Sequence, residues 1–508
     1  MVLRTTMRDL GSARLGGEHE AETPSAPASG AAVRTWSATG AAAAALAVAS
    51  VMLASAAFYN GLPLLYRDSI DYLLHGEATA RALLAHDTVD LENTRSLFYG
   101  LALHVLRDGS NLWPVVAFQA LLTASTLWLT MRVALGHRHA TASRLLVVTA
   151  LLTTLSSAPW FVGYVMPDLF AALLVLGIYL VAFGWERLRG GERAFAAALV
   201  WLAIVSHGSH LLLAAGLTVA VALFRWRSGG PPHEARAAVA RLAGLTVAAA
   251  LSTVAIHAAV LGEPTLGGRR PVFLLARAIA DGPTRSYLER HCGELDLAIC
   301  ADADHLPHDI RGVLWNPGSV WETASPAVRE RLRAEEMPVV LAGIRSDPWG
   351  QLRASLRYAW SQLGRFGLEG SYAPEPYLTS HVAEALPNGV ERFARSRQAR
   401  LALHEDVFDV VQAIGVVLAL FATRLLVRLP RPAARPLIPL AMLTGAALAA
   451  NAAITGVLSS VEPRYQARIV WLLPFFALVV VFAWLDRRRE THVTPRRSAA
   501  SSCTTPRA

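Results

Sequence analysis

The chain has no lysine: every one of its 47 basic side chains is an arginine. With the excess of alanine, this reads as the codon signature of a GC-rich bacterial genome. Charge is scarce too, at 17% of 508 residues against 54% hydrophobic, which excludes an ordinary soluble protein. The net charge of +9 does not indicate nucleic-acid binding, because the arginines fall in short clusters between apolar runs, the pattern that writes membrane topology. There are three cysteines, with neither the spacing nor the neighbours of a zinc site. No small-residue cleavage site follows the first apolar run, which continues into "GLPLLY", so that run reads as a retained span and not a signal peptide. No internal repeat is present.

What the chain has is a series of apolar stretches. Only helices or closed barrels satisfy their backbone in hydrocarbon, and about 20 apolar residues span it as a helix. Ten such stretches occur, at 37–59, 112–134, 144–160, 167–185, 194–207, 209–225, 238–261, 407–427, 436–457 and 466–485. The arginines around 132–144, 187–193, 225–241 and 424–435 and the tail from Arg487 all fall on the side of the N-terminus. Ten spans then place both termini in the cytoplasm of a bacterial inner (plasma) membrane protein. The expected organisation is a disordered cytoplasmic tail at 1–35 and an N-terminal transmembrane module at 36–261 that carries a first periplasmic loop at 60–111. A periplasmic domain at 262–406, C-terminal transmembrane helices at 407–485 and a cytoplasmic tail at 486–508 follow.

Cys292 and Cys300 lie in the long outer stretch, where an oxidising compartment lets them pair, while Cys503 lies in the inner tail. A disulfide closing so short a loop contributes about 2.6 kcal/mol by chain entropy; two free thiols are the alternative. The polar residues that stand out sit at the outer ends of spans: Asp68 and Asp71 in "YRDSIDYLL", Asp168 in "MPDLFAALLVL", His207 and His210 in "SHGSH", and Glu462, Arg464 and Tyr465 in "VEPRYQARIV". Several charges at one level of a membrane predict a water-filled cleft, where a single residue would merely end a helix. Asp68 and Asp71, three apart, share one face of a short helix after Pro63, so that one can take a proton while the other orients the substrate or binds metal. Residues 77–107 predict one or two helices lying on the membrane surface. Residues 262–406 read as a small, mostly helical domain, with 338–365 on the membrane over the cleft and Trp315, Trp321, Trp349 and Trp360 available to stack on sugar rings or to pack.

The first span leading to "YRDSIDYLL", the surface segment "TRSLFYGLALHVL", "MPDLFAALLVLGIYLVAF" and "EPRYQARIVWLLPFFALVV" together resemble the GT-C polytopic glycosyltransferases. The similarity is to the bacterial branch with the aminoarabinose transferase of lipid A and protein mannosyltransferases, over roughly 36–261 and 407–485. The resemblance implies an all-α GT-C-like fold, a sugar donor carried on polyprenyl phosphate, and a cell-envelope glycan, lipid or protein as acceptor at the periplasmic face. It implies Asp68 as the catalytic base, with Asp168 lining the same cavity; Ser69 stands where the family commonly has Glu, which bears on metal binding. A divalent metal is compatible with the pattern but no cofactor is identified. Arg464, or else Arg95 or Arg67, is placed to hold the donor phosphate, and His207 and His210 to hydrogen-bond it, beside Asp71, Glu462 and Tyr465 as further substrate contacts. The other classes that fit are a transporter or flippase of envelope lipids and a catalytically silent lipid-binding relative. The clustering of polar groups at one end of the spans disfavours the transporter, whose sites lie near the midplane.

Overall fold

The computed structural model describes residues 29–493, with side chains described over 40–490 apart from 302–305. Most of the expected N-terminal tail, the end of the C-terminal tail and Cys503 lie outside the described residues. Among the described residues the secondary structure is helical with no strand, and two isolated bridges, one of them joining Leu64 to Tyr164.

The first half runs through α1 (Ser29–Leu53), α2 (Ser55–Asn60), α3 (Arg67–Ala85), α4 (Leu97–Leu106), α5 (Trp113–Leu135), α6 (Ala142–Leu155), α7 (Ala158–Val162) and α8 (Leu169–Tyr179). A π turn at Leu180–Gly184 and a 3₁₀ turn at Trp185–Arg187 extend α8, and α9 (Gly190–Ser206), α10 (Gly208–Arg227) and α11 (Pro232–Leu261) follow. The middle of the chain forms α12 (Phe273–Asp281), α13 (Pro283–His291), α14 (Ile310–Leu314), α15 (Val320–Thr323), α16 (Pro326–Ser346), α17 (Pro348–Gly364), α18 (Pro376–Ala385) and α19 (Val390–Arg395). The last part is α20 (Glu405–Thr423), α21 (Arg431–Ala434), α22 (Leu437–Leu458), α23 (Pro463–Val470) and α24 (Leu472–Val493).

Among the described residues, seven helical stretches are long and apolar enough to cross a membrane: α5, α8 with its extension to Arg187, α10, α11, α20 with its extension to Arg428, α22, and α23 with α24. The other three of the ten expected spans are shorter or broken. The helix at 142–155 has 14 residues because Ser156 and Ser157 turn the chain, with Ser156 Oγ bonded to Leu152 O. The helix at 190–206 has 17, ending where His207 adopts an extended backbone. The first apolar run breaks at Ala54 between α1 and α2. Helix also begins seven residues earlier than the expected tail boundary at 36, ahead of the alanine run at 41–45, and α24 continues past 486, where Arg487 pairs with Glu490 one turn on.

The expected domain at 262–406 is not one body. Residues 272–344 enclose a core of their own, built on Leu275, Ile279, Leu288, Val313, Leu314 and Leu332, and the Cys292–Cys300 disulfide lies at its edge. Trp321 is buried in that core beneath Arg329 and Arg333, so the expected sugar-stacking role does not fit it. Leu368, Tyr372, Leu378, Val382 and Phe393 instead join the core of the membrane helices. Between these bodies α17 packs one face against α22, where Gly456 admits the backbone at Tyr358. Its other face leaves Trp349, Leu352, Leu356, Trp360 and Leu363 exposed at helical spacing, an apolar side of the kind expected for a helix lying in a membrane interface.

Position of the polar residues depends on α3 and α4. The helix α3 starts at Arg67, not directly after Pro63, because Ser69 caps it: Ser69 Oγ accepts from the Tyr66 amide at 2.9 Å and donates to Val165 O at 2.9 Å. Ile70, Leu73, Gly76 and Ala80 form its buried stripe. Gly76 and Gly100 let the two backbones touch, since a Cβ on Gly76 would stand 2.1 Å from Gly100 O and one on Gly100 2.9 Å from Tyr72 O. Backbone cannot yield as a side chain can, so Gly76→Ala is expected to lower stability by about 3 kcal/mol or more, read as thermal unfolding in detergent. Gly216→Ala, in open space on α10, serves as the control and should be neutral or stabilise by up to about 1 kcal/mol.

Candidate functional site

The close packing of α3 on α4 sets Arg95, two residues before α4, against the first turns of α3. Arg95 Nη2 donates to Asp68 Oδ1 at 2.7 Å and Nε to Asp71 Oδ2 at 3.3 Å. The two carboxylates thus share one helix face, as their spacing requires, and share one guanidinium. Tyr377 of α18 donates its hydroxyl to Asp71 Oδ1 at 2.8 Å. Asp68 Oδ2 makes no hydrogen bond to protein among the described residues. Arg67 forms the rim, 3.9 Å from Asp68 and 3.8 Å from Glu375, with its guanidinium 5.1 Å from the ring centres of both Trp315 and Tyr377.

A second group of charges adjoins the first. Arg464, in the first turn of α23, lies with its guanidinium 4.1 Å from the Tyr66 ring centre and bonds Tyr164 Oη at 3.2 Å, its Nε 4.0 Å from Asp168. Arg468, one turn further on, donates to Asp168 Oδ1 at 3.4 Å, to Asn451 Oδ1 at 2.9 Å and to Ser209 Oγ at 3.4 Å. Asp168, Arg464 and Arg468 are each more than nine-tenths buried. The Tyr465 ring lies beside both arginines, 5.3 and 5.4 Å from their guanidinium carbons. Through Ser209 the network reaches His207, whose Nδ1 is hydrogen-bonded to Ser209 Oγ at 2.8 Å, and the His210 ring 5.2 Å away. His210 Nδ1 bonds Ala203 O at 2.7 Å while its buried Nε2 has no protein partner.

Charge sums separate the two groups. Arg95 faces two aspartates, a balance of minus one; Arg464 and Arg468 face Asp168, a balance of plus one. Both fields act on the buried Tyr72 hydroxyl, which burial holds well above its ordinary range, with Arg95 opposing and Asp68, Asp168 and Asp71 reinforcing the shift. Burial likewise raises the Asp71 carboxyl above the usual range, with Arg95 working against it, and lowers the neighbouring His75 to about 4. Both Asp71 oxygens are engaged, by Arg95 and Tyr377, whereas Asp68 keeps one oxygen free.

Of the residues expected from sequence, Asp68, Asp71, Arg95, Asp168, Arg464, Tyr465, His207 and His210 come together at one end of the bundle. Glu462 does not: its carboxylate lies at the rim, 3.8 Å from Arg311, and its backbone is bonded to Gln362. Proline at 463 starts α23 one residue later, so Glu462 remains outside the helix whose inner face carries the arginines. Ser69, at the position where the resembled family has Glu, is buried and committed to the Tyr66 and Val165 backbone. Among the described residues no group of three or more His, Cys, Asp or Glu could hold a metal ion. Arg468 was visible in sequence as an arginine four residues after Arg464; Tyr377, Tyr164 and Asn451 carry no signal that links them to the aspartates.

Comparison with family models, with curated proteins and with solved structures finds no match for this chain.

Removing Arg95 leaves two largely buried carboxylates without their cation. Arg95→Met is expected to lose about 3 kcal/mol at pH 7, measured as thermal unfolding in detergent. A carboxyl with a raised folded-state pKa stabilises the fold most when protonated, at low pH, and that contribution is lost as pH rises through the raised value. The deficit of Arg95→Met should therefore shrink as pH falls from 7 to 5, and a deficit that grows over that interval would contradict the proposed burial of charge.

Proposed function

We propose that this membrane protein is an inverting glycosyltransferase that moves a sugar from a polyprenyl-phosphate donor to a cell-envelope acceptor at the outer, periplasmic face. The observation that carries the reading is the adjacency of a proton-accepting group, Asp68 held by Arg95, and an anion-accepting group, Arg464 and Arg468 around Asp168. Such a transfer needs both at once. An acceptor hydroxyl oxygen forms a bond to the anomeric carbon as the carbon–oxygen bond to phosphate breaks. The hydroxyl proton passes to Asp68 Oδ2, and the leaving electron pair remains on the phosphate. Its charge develops against the guanidiniums of Arg464 and Arg468, donors fixed in a poorly hydrated place where they act strongly. Arg95 orients Asp68 without consuming its second oxygen. Asp71, bonded to Tyr377, is a substrate-positioning acid in this scheme. Tyr465 and the His207–His210 pair flank the phosphate end.

In this reading the lipid tail of the donor stays in the membrane and its head enters at the rim under Arg67, while 272–344 faces the acceptor. The arginine clusters support a cytoplasmic position for the opposite end of the bundle and for both termini in this reading. No step is routed through a metal, because the two guanidiniums supply the positive charge the leaving group needs.

The test uses the full chain in vesicles with a labelled polyprenyl-phosphate sugar and an envelope extract as acceptor. Asp68→Asn is expected to lower transfer by about 10²- to 10⁴-fold with donor retention unchanged, while Arg464→Gln weakens donor retention by about tenfold or more. Full transfer by both variants defeats the assignment. Movement of the labelled lipid across the bilayer with no sugar transferred identifies a flippase instead.

A further inference from the structure

The end of the bundle opposite the Asp68 group holds a cavity of about 880 Å³, and nothing in the proposed transfer uses it. It lies where the stretch that begins after Asp168 ends, 19 residues on at Arg187, roughly 27 Å along the helix axis. That distance is close to the thickness of the hydrocarbon layer.

Four arginines line it, Arg187, Arg225, Arg241 and Arg435, against two carboxylates, Glu186 and Glu234, a surplus of two positive charges. The carboxylates engage only part of this set: Arg225 is 3.5 Å from Glu234 and Arg241 3.6 Å from Glu186. Arg225 Nε is buried without a hydrogen-bond partner, and Arg435 has no side-chain partner among the described residues. The guanidiniums are held in place by other means. Arg225 Nη2 donates to Ala182 O at 2.5 Å, in the π turn that follows α8, and stacks 4.7 Å from the Phe183 ring centre. Arg241 stacks 4.7 Å from the Trp185 ring centre, and Arg187 Nη1 donates to Val133 O at 2.6 Å. A π turn of this kind is a local departure that recurs at functional sites. The start of the 30-residue helix α11 also lines the cavity, and its N-terminus has no side-chain cap. Pro231 and Pro232 carry no N–H and the Glu234 and Ala235 amides are bonded to Pro231 O, so the positive end of the helix dipole, with the His233 amide, is what favours an anion there.

We propose that this cavity binds the phosphate-bearing headgroup of an anionic lipid from the leaflet opposite the Asp68 group. Phosphate chemistry follows from the arginine surplus and the uncapped helix start. The choice of a lipid over a free phosphate follows from the apolar surface at the same level. Ile438, which lines the cavity, is 44% exposed, and Leu223 and Trp226, on either side of Phe224 and Arg225 in α10, are 46% and 76% exposed. Acyl chains can lie along them while the headgroup occupies the cavity.

Titration of the purified full chain with short-chain phosphatidylglycerol, read as the rise in the thermal unfolding midpoint, tests this. Phosphatidylglycerol is expected to stabilise the protein saturably, whereas short-chain phosphatidylcholine and glycerol 3-phosphate leave it unchanged at the same concentrations. Arg435→Gln, which removes a side chain without protein partners, should raise the half-saturating concentration about five-fold, and Arg241→Gln with Arg435→Gln about 25-fold, by the usual worth of an arginine at a lipid surface. An unaltered titration in Arg435→Gln overturns the site. An equal response to phosphatidylcholine overturns the anionic selectivity, and an equal response to glycerol 3-phosphate overturns the lipid assignment.

Discussion

A charge taken out of water must find a partner, and the polar end of this bundle is organised around that demand. Asp168, Arg464 and Arg468 are buried where an unpaired ion would cost several kcal/mol. They reach one another from α8 and α23, segments nearly 300 residues apart in sequence, with Asn451 of α22 and Ser209 of α10 completing their hydrogen bonds. Four separate helices are thereby fixed at one level. The second group, Asp68 and Asp71 about Arg95, extends the same constraint to the surface segment, where the contact of Gly76 on Gly100 brings α4 close enough for one guanidinium to serve both acids.

The two ends of the bundle solve different electrostatic problems. At the Asp68 end the charges nearly cancel, minus one beside plus one, which leaves acidic and cationic groups adjacent and able to act on one substrate. At the other end arginines outnumber carboxylates and rely on aromatic rings and backbone carbonyls for support. Cation–ring contacts hold a guanidinium without neutralising it. The first arrangement suits a reaction in which a proton and a phosphate part company; the second suits holding an anion in place.

Much of the polar site was legible because span ends are legible. Asp68, Asp168 and Arg464 stand where apolar runs begin or stop, and a charge at that depth is unusual enough to notice. Arg95 could be named but not its partners, since nothing in a sequence says which carboxylate a loop arginine will meet 24 or 27 residues away. Glu462 looked equivalent to Arg464, two positions on, yet Pro463 begins the helix between them and sends Glu462 to the rim. Ser69 looked like a gap in a familiar pattern and is a helix cap. Tyr377 was out of reach altogether: it meets Asp71 across 306 residues through a helix, α18, whose sequence marks it only as amphipathic. Three of the ten expected spans are not among the seven helices long enough to cross in the described residues, because hydropathy registers apolar content and not the breaks at Ala54, Ser156 and His207.

Composition and periodicity by themselves determined that this is a helical protein of the membrane, where its polar residues concentrate along each span, and that Cys292 and Cys300 can pair, since hydrophobicity and short-range spacing are local properties of the chain. Tertiary structure alone decided which of those residues meet. It split the stretch 262–406 between a core of its own and that of the membrane helices, set Arg468 on Asp168, and formed the arginine-lined cavity at the far end. The physical reason is range: a hydrogen bond or ion pair is effective over about 3–4 Å, and that proximity comes from helix packing between segments that the sequence keeps hundreds of residues apart.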